Sequence, residues 1–427
     1  MDITNTRRRR HTMLMIEVLP PIKTKNRYEF RCILKGKDFN FHEAVYRCKS
    51  VIKGYGSLTE SVIRFGYISK NFEIKHSEMW DSIYPLCFLT RNGGPLYGTK
   101  YNQAQIRFKY PILEKVRKFY IERAANFGLS IDVEGPTYDR SFEIPTNGTV
   151  LAFGGGKDSR MLLGLLEETG YDPEIYTAGE ENVPDIKKAK IVRAISGRLL
   201  DRIMPALMSG SKTFMNGCGL GEAVLTHPWM AYYDWGSPRS LQEFSSLMES
   251  LGVSIKLQAP VCILPSNVIQ EILFKRYPHL YKYQLSVPNP RLFKYRQGVP
   301  IEKNLHVSLC KIYHGIDFTE HCSEKLFKRL LKIFVSDQLK ILETSGFLPH
   351  REYFDREMRC ITFRMREHSL FREVRGLIPD DWNDNWIDCI HTYVYPEINP
   401  AFLKIYKEYA PEVSRLPTKD NSYRIAI

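Results

Sequence analysis

The pattern of apolar and polar residues changes near residue 148, and the two halves predict different architectures. Before that point, the segments MLMIEVLPP (13–21), RYEFRCILKG (27–36) and FNFHEAVYRC (39–48) alternate with the period of β-strands. Residues 110–127 carry apolar side chains at helical spacing, and Gly128 follows them as a helix stop. We therefore predict a mixed α+β N-terminal domain over residues 1–140.

After residue 148, buried-strand patterns alternate with helical ones. The predicted strands are TVLAF (149–153), EIYTAG (174–179), TFMNG (213–217) and SIKLQAPV (254–261). The predicted helices are SRMLLGLLEETGY, which ends at Gly170, DIKKAKIVRAISGRLL (185–200) and SNVIQEILFKRYP (266–278). This succession is typical of an α/β fold with a doubly wound parallel sheet, which we assign to residues 141–320.

The remainder of the chain predicts a helical C-terminal region over residues 321–427. Residues 323–346 and 398–410 both carry apolar side chains at helical spacing. At 427 residues the chain is longer than a single core usually is, which agrees with division into several domains. Its 43% hydrophobic and 26% charged residues are those of a globular protein and argue against intrinsic disorder.

The chain is basic, with a formal net charge of +13, and this favours a polyanionic partner. However, the charges are spread along the whole chain, and the one concentrated run is Arg7–Arg10, close to the start. Met13 or Met15 could equally be the natural start, so this run carries little weight. A solvated basic surface is the simpler interpretation, and nucleic acid is not the favoured partner.

The cysteines and the hydropathy pattern set expectations about the compartment. None of the nine cysteines stands in a CxxC arrangement, which argues against a zinc ribbon and a secreted disulfide framework. No run of about 18 apolar residues occurs, and no signal-peptide-like apolar stretch follows the N-terminal charges. We expect a cytoplasmic protein with no membrane span.

The segment LAFGGGKDSR (151–160) carries the strongest chemical signal. It leads from a predicted strand through three glycines into a predicted helix. Glycines let the backbone approach a ligand closely, and the N-terminus of a helix offers free N–H groups together with the positive end of its dipole. This combination predicts a phosphate-binding loop.

Spacing separates the known kinds of phosphate loop. A Walker A loop requires glycine where Leu151 stands and a hydroxyl residue where Asp158 stands, so that interpretation fails. Gly154 and Gly156 match the pattern of a dinucleotide-binding loop, as does an acidic residue at the end of the next strand. That interpretation does not explain Lys157 and Asp158. A glycine turn that only packs the helix on its strand also stays open.

The sequence Gly154-Gly155-Gly156-Lys157-Asp158-Ser159 resembles the Ser-Gly-Gly-x-Asp-Ser motif of the PP-loop ATP pyrophosphatases, with glycine replacing the first serine. This family belongs to the adenine nucleotide alpha-hydrolase-like superfamily, and the resemblance implies its HUP-type sheet. It also implies an enzyme that binds ATP and Mg²⁺, transfers AMP to a carboxylate or carbonyl oxygen and releases pyrophosphate.

The resemblance implies a role for each loop residue. The backbone amides of Gly155 and Gly156, following Gly154, and the Ser159 hydroxyl would hold the pyrophosphate part of ATP. Lys157 would neutralise developing charge, and Asp158 would act as the metal ligand through Mg²⁺. The adenine would lie near the end of the second strand, at residues 176–179. The members of that stretch that we select as nucleotide-binding are Thr177 and Gly179.

A second glycine cluster, MNGCGLGEAV (215–224), follows another predicted strand. Its Gly219, with Asn216, Gly217 and Gly221, is a candidate to line the space between ATP and a second substrate. Glu222 is a candidate metal ligand or general base, and a helix N-terminus explains it equally well. Cys218 is a weaker candidate nucleophile.

The aromatic run HPWMAYYDWGSPRS (227–240) predicts a loop, and it has two interpretations. One is a cradle for an organic acceptor, in which Arg239 holds a carboxylate. The other is aromatic core packing.

Residues 285–298, LSVPNPRLFKYRQG, occupy the place where several PP-loop enzymes carry zinc-binding cysteines. Ser286 and Asn289 are present, but those cysteines are not. Their absence argues against the tRNA-thiolating and deazaguanine-synthesising branches. Residues 145–315, with a domain before them, resemble most the ATP-dependent epimerase branch that inverts the terminal glutamate of a muramoyl dipeptide.

Three functions follow from these observations. The first is adenylation of a small acceptor such as an amino acid, a peptide or a sugar acid, followed by ligation, amidation or epimerisation. The second is a PP-loop enzyme that modifies tRNA or another nucleic acid. The third is a non-catalytic nucleotide-binding protein.

Overall fold

The structure is a computed structural model that describes residues 13–25, 27–36, 51–52, 60–69, 77–90, 96, 103–126, 129–144, 147–177, 183, 185–194, 211–217, 238–264, 266–281 and 398–415. Within these ranges the protein is a mixed α/β structure organised around one twelve-stranded sheet. A separate sheet of two short strands accompanies it.

The N-terminal half contributes nine strands and two helices to the described residues. In chain order these are β1 (Leu14–Val18), β2 (Ile22–Thr24), β3 (Arg27–Lys35), β4 (Val51–Ile52), β5 (Glu60–Ser69), α1 (Ser77–Thr90), β6 (Gln103–Phe108), β7 (Ile112–Leu113), α2 (Glu114–Asn126), β8 (Ser130–Glu134) and β9 (Thr137–Tyr138).

The second half supplies the remaining described elements. They are β10 (Asn147–Ala152), α3 (Lys157–Glu168), β11 (Glu174–Thr177), β12 (Lys190–Ala194), β13 (Ser211–Asn216), α4 (Pro238–Ser250), β14 (Lys256–Gln258), α5 (Ser266–Arg276), α6 (Pro278–Tyr281), α7 (Pro400–Tyr409) and the 3₁₀ turn Pro411–Arg415.

The large sheet has the strand order β14-β13-β10-β11-β12-β5-β3-β1-β6-β8, with β2 paired to β3 and β4 paired to β5. The five strands from β10 to β14 pair in parallel. Beyond them, β12 pairs antiparallel with β5, β5 with β3, and β3 with β1. The prediction of an α/β fold with a parallel sheet is thereby confirmed at this level. The sheet crosses the boundary predicted near residue 140, and the division into three domains stays a prediction.

Side-chain alternation explains why the N-terminal half forms strands. In β3, Tyr28, Phe30, Cys32 and Leu34 are fully buried, and the residues between Phe30 and Lys35 that alternate with them are partly exposed. Phe30 stacks on Phe65 of β5 with ring centroids 5.4 Å apart, and such aromatic cross-strand pairs stabilise a sheet. The strands predicted at 13–21 and 27–36 are confirmed, whereas the predicted strand 39–48 lies outside the described residues.

The helix predicted over residues 185–200 is wrong over 190–194, where the chain forms β12. Lys190 pairs with Tyr176 of β11, and Val192 pairs with Ser69 of β5. This segment therefore has a strand on each side to receive its backbone hydrogen bonds. Its β-branched residues, Ile191 and Val192, favour a pleated strand over a helix, and a short apolar stretch does not distinguish the two by spacing alone.

Other element boundaries differ from the predictions for local reasons. The helix predicted over residues 110–127 begins at Glu114, because residues 112–113 form β7. The loop predicted over 227–240 is wrong at its end, where α4 starts at Pro238, a residue suited to the first turn of a helix. The helix predicted over residues 398–410 is confirmed as α7, and the one predicted over 323–346 lies outside the described residues.

Helix α3 packs closely on the segment joining α5 and α6. Tyr277 is almost fully buried, and a Cβ added to Gly164 of α3 would lie 2.5 Å from its ring. At the end of α3, Glu168 accepts hydrogen bonds from Arg276 Nε at 2.8 Å and Nη2 at 2.6 Å, and from the Tyr277 hydroxyl at 2.8 Å. Arg276 also contacts Glu408 of α7, which ties the C-terminal helix to α3.

We predict that Gly164→Ala destabilises the protein, because the new methyl group overlaps the Tyr277 ring. Overpacking costs about 1–3 kcal/mol, and the better helix propensity of alanine offsets at most about 1 kcal/mol of it. Urea unfolding should show the loss. In a Tyr277→Leu background the same substitution should cost less, and an equal cost in both backgrounds would contradict the steric explanation.

We also predict a pH-dependent contribution from Glu168. Hydrogen bonds from Arg276, then from Tyr277, hold the pKa of Glu168 below its ordinary value of 4.5. A lowered pKa in the folded state stabilises the protein above the unfolded-state pKa, and this stabilisation is lost as the pH falls through the folded-state pKa. Glu168→Gln should therefore lower the free energy of unfolding by about 1 kcal/mol at pH 7 and by less at acid pH. The effect at pH 7 is small because Glu168 and Arg276 are partly exposed to solvent. Urea unfolding across that pH range measures it, and a pH-independent cost would contradict it.

Candidate anion site at the glycine loop

The glycine loop leaves the sheet at the point where the strand order reverses. Strand β10 lies between β11, the next strand of the parallel part along the chain, and β13, a later one. The parallel strand that follows β10 lies on one side of it, and β14, which follows β13, lies towards the other edge. In open α/β sheets, ligands usually bind outside the carboxyl ends of the strands at such a reversal.

The loop backbone turns into α3 at this edge of the sheet. Gly155 adopts φ 75°, a left-handed conformation that suits glycine, and Gly156 is extended just before α3 begins at Lys157. Gly156, the residue at the N-cap position, has no side chain that could cap the helix N-terminus. Among the described residues, no backbone hydrogen bond is donated by the N–H groups of Gly155, Gly156, Asp158 or Ser159. Uncapped N–H groups at the positive end of a helix dipole favour an anion.

Three adjacent side chains surround this helix N-terminus. Lys157 Nζ donates to Asp158 Oδ1 at 2.6 Å, and the Asp158 side chain is 26% exposed whereas that of Lys157 is 11% exposed. The Ser159 hydroxyl donates to the Gly156 carbonyl at 3.2 Å. A cation and a carboxylate thus lie beside the uncapped N–H groups, a combination that suits an anion and a bridging metal ion together.

A fully buried arginine supports the loop from inside. Arg160 has no exposed surface, and its Nε donates to the Gly155 carbonyl at 3.1 Å. Its two terminal nitrogens donate to Asp185, Nη1 to Oδ2 at 2.8 Å and Nη2 to Oδ1 at 3.0 Å. The guanidinium also lies 5.3 Å from the ring centroid of Phe153. The pair Arg160–Asp185 therefore joins the glycine loop to the segment that precedes β12.

Sequence reasoning missed both Arg160 and Asp185. A signal for Arg160 did exist, because it directly follows Ser159 at the start of an apolar helix, where a buried arginine requires a carboxylate partner. No signal identified Asp185 among the neighbouring acidic residues, because the partner depends on how the chain after β11 returns to the sheet.

The connection after β13 meets the loop directly. Asn216 ends β13, is buried, and pairs with Ala152 at the end of β10. A Cβ added to Gly217 would lie 2.7 Å from the backbone nitrogen of Ser159. Glycine is therefore required at position 217 for β13 and α3 to approach this closely. Asn216 and Gly217 thus lie beside the loop, and their role in lining a substrate space stays a prediction.

The remaining predicted site residues divide into two groups. Thr177 is buried at the end of β11. The residue before it, Tyr176, accepts a hydrogen bond at 2.8 Å from the N–H of Phe153, which follows β10, so Thr177 lies close to the start of the glycine loop. Arg239 lies in the first turn of α4. The others lie outside the described residues: Gly179, Cys218, Gly219, Gly221, Glu222, Ser286 and Asn289.

Within the described residues, no group of three or more metal-binding side chains occurs. No helix in that part of the chain is long and apolar enough to cross a membrane. The sequence matches no protein-family model, and comparison with curated proteins and with solved structures finds no match. Function must therefore be argued from this chain's own residues.

We predict that Gly217→Ala weakens binding of phosphate and pyrophosphate. The added methyl group would push against the first turn of α3 and displace its N–H groups, and losing about one hydrogen bond to a charged ligand corresponds to roughly tenfold in affinity. Isothermal titration calorimetry measures this change. Gly164→Ala, which introduces a clash in the middle of the same helix, is the matched control and should leave the affinity unchanged. Equal losses in both variants would contradict the prediction.

Proposed function

We propose that the protein is an ATP-dependent, AMP-forming enzyme of the PP-loop type, which adenylates a carboxylate or carbonyl oxygen of a small-molecule acceptor. The observation that carries this proposal is the uncapped N-terminus of α3, placed at the reversal of strand order and flanked by Lys157 and Asp158. Phosphate groups are the biological anions that such a helix end most often binds.

The sheet supports the finer assignment to a HUP-type fold. Numbered along the chain, the parallel strands β10 to β14 take the spatial order 3-2-1-4-5. This order places the first strand at the reversal, as in other nucleotide-binding sheets. The sequence Gly-Gly-Gly-Lys-Asp-Ser (154–159) occupies the turn after this first strand, where the PP-loop resemblance requires it.

The loop residues take distinct roles in this proposal. The N–H groups of Gly155 and Gly156 hold the β- and γ-phosphates, with the Ser159 hydroxyl beside them. Lys157 neutralises the charge that grows on the departing pyrophosphate. Because these donors are fixed by the fold before ATP arrives, little reorganisation is needed at the moment of reaction.

The residues at the loop are compatible with Mg²⁺. Asp158 is partly exposed, and Lys157 occupies only one of its two oxygens, Oδ1. Magnesium in phosphate-transfer sites commonly takes one or two carboxylates together with phosphate oxygens and water, so one aspartate is sufficient. Bound there, the ion would offset the repulsion between Asp158 and the phosphates and stabilise the leaving pyrophosphate.

The two neighbouring strands supply the remaining parts of the site. The adenosine of ATP lies on the β11 side, next to Thr177, and the acceptor lies on the β13 side, next to Asn216 and Gly217. The buried free thiols Cys32 and Cys262 agree with a reducing, cytoplasmic environment. Ligation, amidation or epimerisation of the adenylated acceptor would follow.

We predict that Asp158→Asn lowers the rate of pyrophosphate release from ATP by about 100-fold, since the metal-binding charge is lost. The assay measures pyrophosphate and AMP with amino acids, peptides and sugar acids as acceptors. Asp132→Asn, an exposed aspartate on β8, is the matched control and should retain full activity.

The same assay separates the alternatives. Stimulation by RNA alone would favour a nucleic-acid-modifying enzyme over the small-molecule reaction. Binding of ATP without any cleavage under all acceptors would leave a nucleotide-binding protein. Release of inorganic phosphate in place of pyrophosphate would contradict the proposed cleavage between the α- and β-phosphates.

A further inference from the structure

Arg160 is a fully buried cation that touches the glycine loop, and its contacts keep it away from any ligand. Its side chain has no exposed surface, and both terminal nitrogens donate to the two oxygens of Asp185. A guanidinium that is buried and neutralised in this way does not bind phosphate directly. Any effect of Arg160 on an anion must pass through the groups that it holds.

The group that Arg160 holds in the loop is the carbonyl of Gly155, which accepts from Nε at 3.1 Å. In a planar trans peptide, the carbonyl of one residue and the N–H of the next point in opposite directions. The carbonyl of Gly155 is drawn inward to the buried arginine, so the N–H of Gly156 points outward. Both residues are glycines, and Gly155 adopts φ 75°. Since glycine has no side chain to restrict the backbone, the orientation of the Gly155–Gly156 peptide plane must be fixed by contacts with other residues.

We infer that Arg160 is a positioning residue that locks the Gly155–Gly156 peptide so that the Gly156 N–H faces the anion, and that Asp185 anchors Arg160 for this purpose. The inference rests on the proposed function, since it assigns a device to the same phosphate site. It also implies that the segment around residue 185, between β11 and β12, contributes to anion binding by the loop.

Stability alone does not account for the pair. Burying two charges costs a desolvation free energy that is about as large as the attraction between them. Apolar groups of similar volume therefore often stabilise a protein equally well. The bidentate geometry, by contrast, fixes the guanidinium in one orientation, with Nε aimed at a single carbonyl. Such geometric definition is what an anion-binding amide requires.

The test compares Arg160→Lys with Arg276→Lys. Lysine keeps the charge but cannot reproduce the fork that contacts Gly155 and Asp185 together. Arg276 forms the same kind of bidentate pair with Glu168 at the other end of α3, so it controls for general destabilisation. Calorimetry with pyrophosphate and with MgATP should show about tenfold weaker binding for Arg160→Lys and a change below about twofold for Arg276→Lys.

A second readout follows the peptide plane itself. In the protein labelled with ¹⁵N-glycine, the Gly156 amide is identified among the 27 glycines by its loss in Gly156→Ala. Its nitrogen shift reports the hydrogen bond to the Gly155 carbonyl, so it should move in Arg160→Lys and stay in Arg276→Lys. Asp185→Asn retains the shape of the side chain that anchors Arg160. It should move the Gly156 nitrogen shift in the same direction and weaken pyrophosphate binding, and it replaces Arg160→Lys in the test if that variant does not fold.

The outcomes separate the two proposals. If the wild-type protein binds neither pyrophosphate nor MgATP, the proposed function is overturned, and this inference with it. If the wild type binds both, and Arg160→Lys binds them equally well or its Gly156 amide does not move, the inference is overturned and the proposed function stands. Equal losses of affinity in Arg160→Lys and Arg276→Lys, in step with their melting temperatures, would also overturn it.

Discussion

The site depends on the backbone hydrogen bonding of β10 to a parallel strand on each side. Pairing with β11 and β13 fixes where β10 ends, and the glycine loop must turn at that level. The same ladders bring the ends of three strands to one edge of the sheet, so that residues distant in sequence lie close together there. The chemistry proposed for the loop is a consequence of this register, and no side chain of the loop could produce it alone.

Local sequence was sufficient for the elements whose neighbours follow at once along the chain. Strand β10, the glycine turn and α3 were all predictable, because apolar spacing, glycine chemistry and the helix stop at Gly170 agree with one another. Strand β12 was not predictable, since its character comes from β11 and β5, which lie on either side of it. Tertiary pairing overrode local helical spacing there.

The candidate site shows the same division between local and distant information. The residues that we propose to bind the ligand, from Gly154 to Ser159, are contiguous and could be identified directly from the sequence. The residues that hold them, Asp185 and Gly217, come from other connections and act through packing or a buried ion pair. A motif therefore predicts the chemistry of a loop, whereas the residues that support the loop become visible once the strand order is known.

The antiparallel pairing of β12 with β5 has a consequence for how the protein can be divided. It joins the N-terminal strands to the parallel strands in one continuous sheet, so severing the chain near residue 140 would strip the partner from two strands at once. Each fragment would then carry an open row of unpaired backbone groups, which promotes association with other chains. The strand that leads into the glycine loop and the N-terminal strands thus share one sheet, and a shortened protein that keeps this sheet whole should be cut outside residues 14–258.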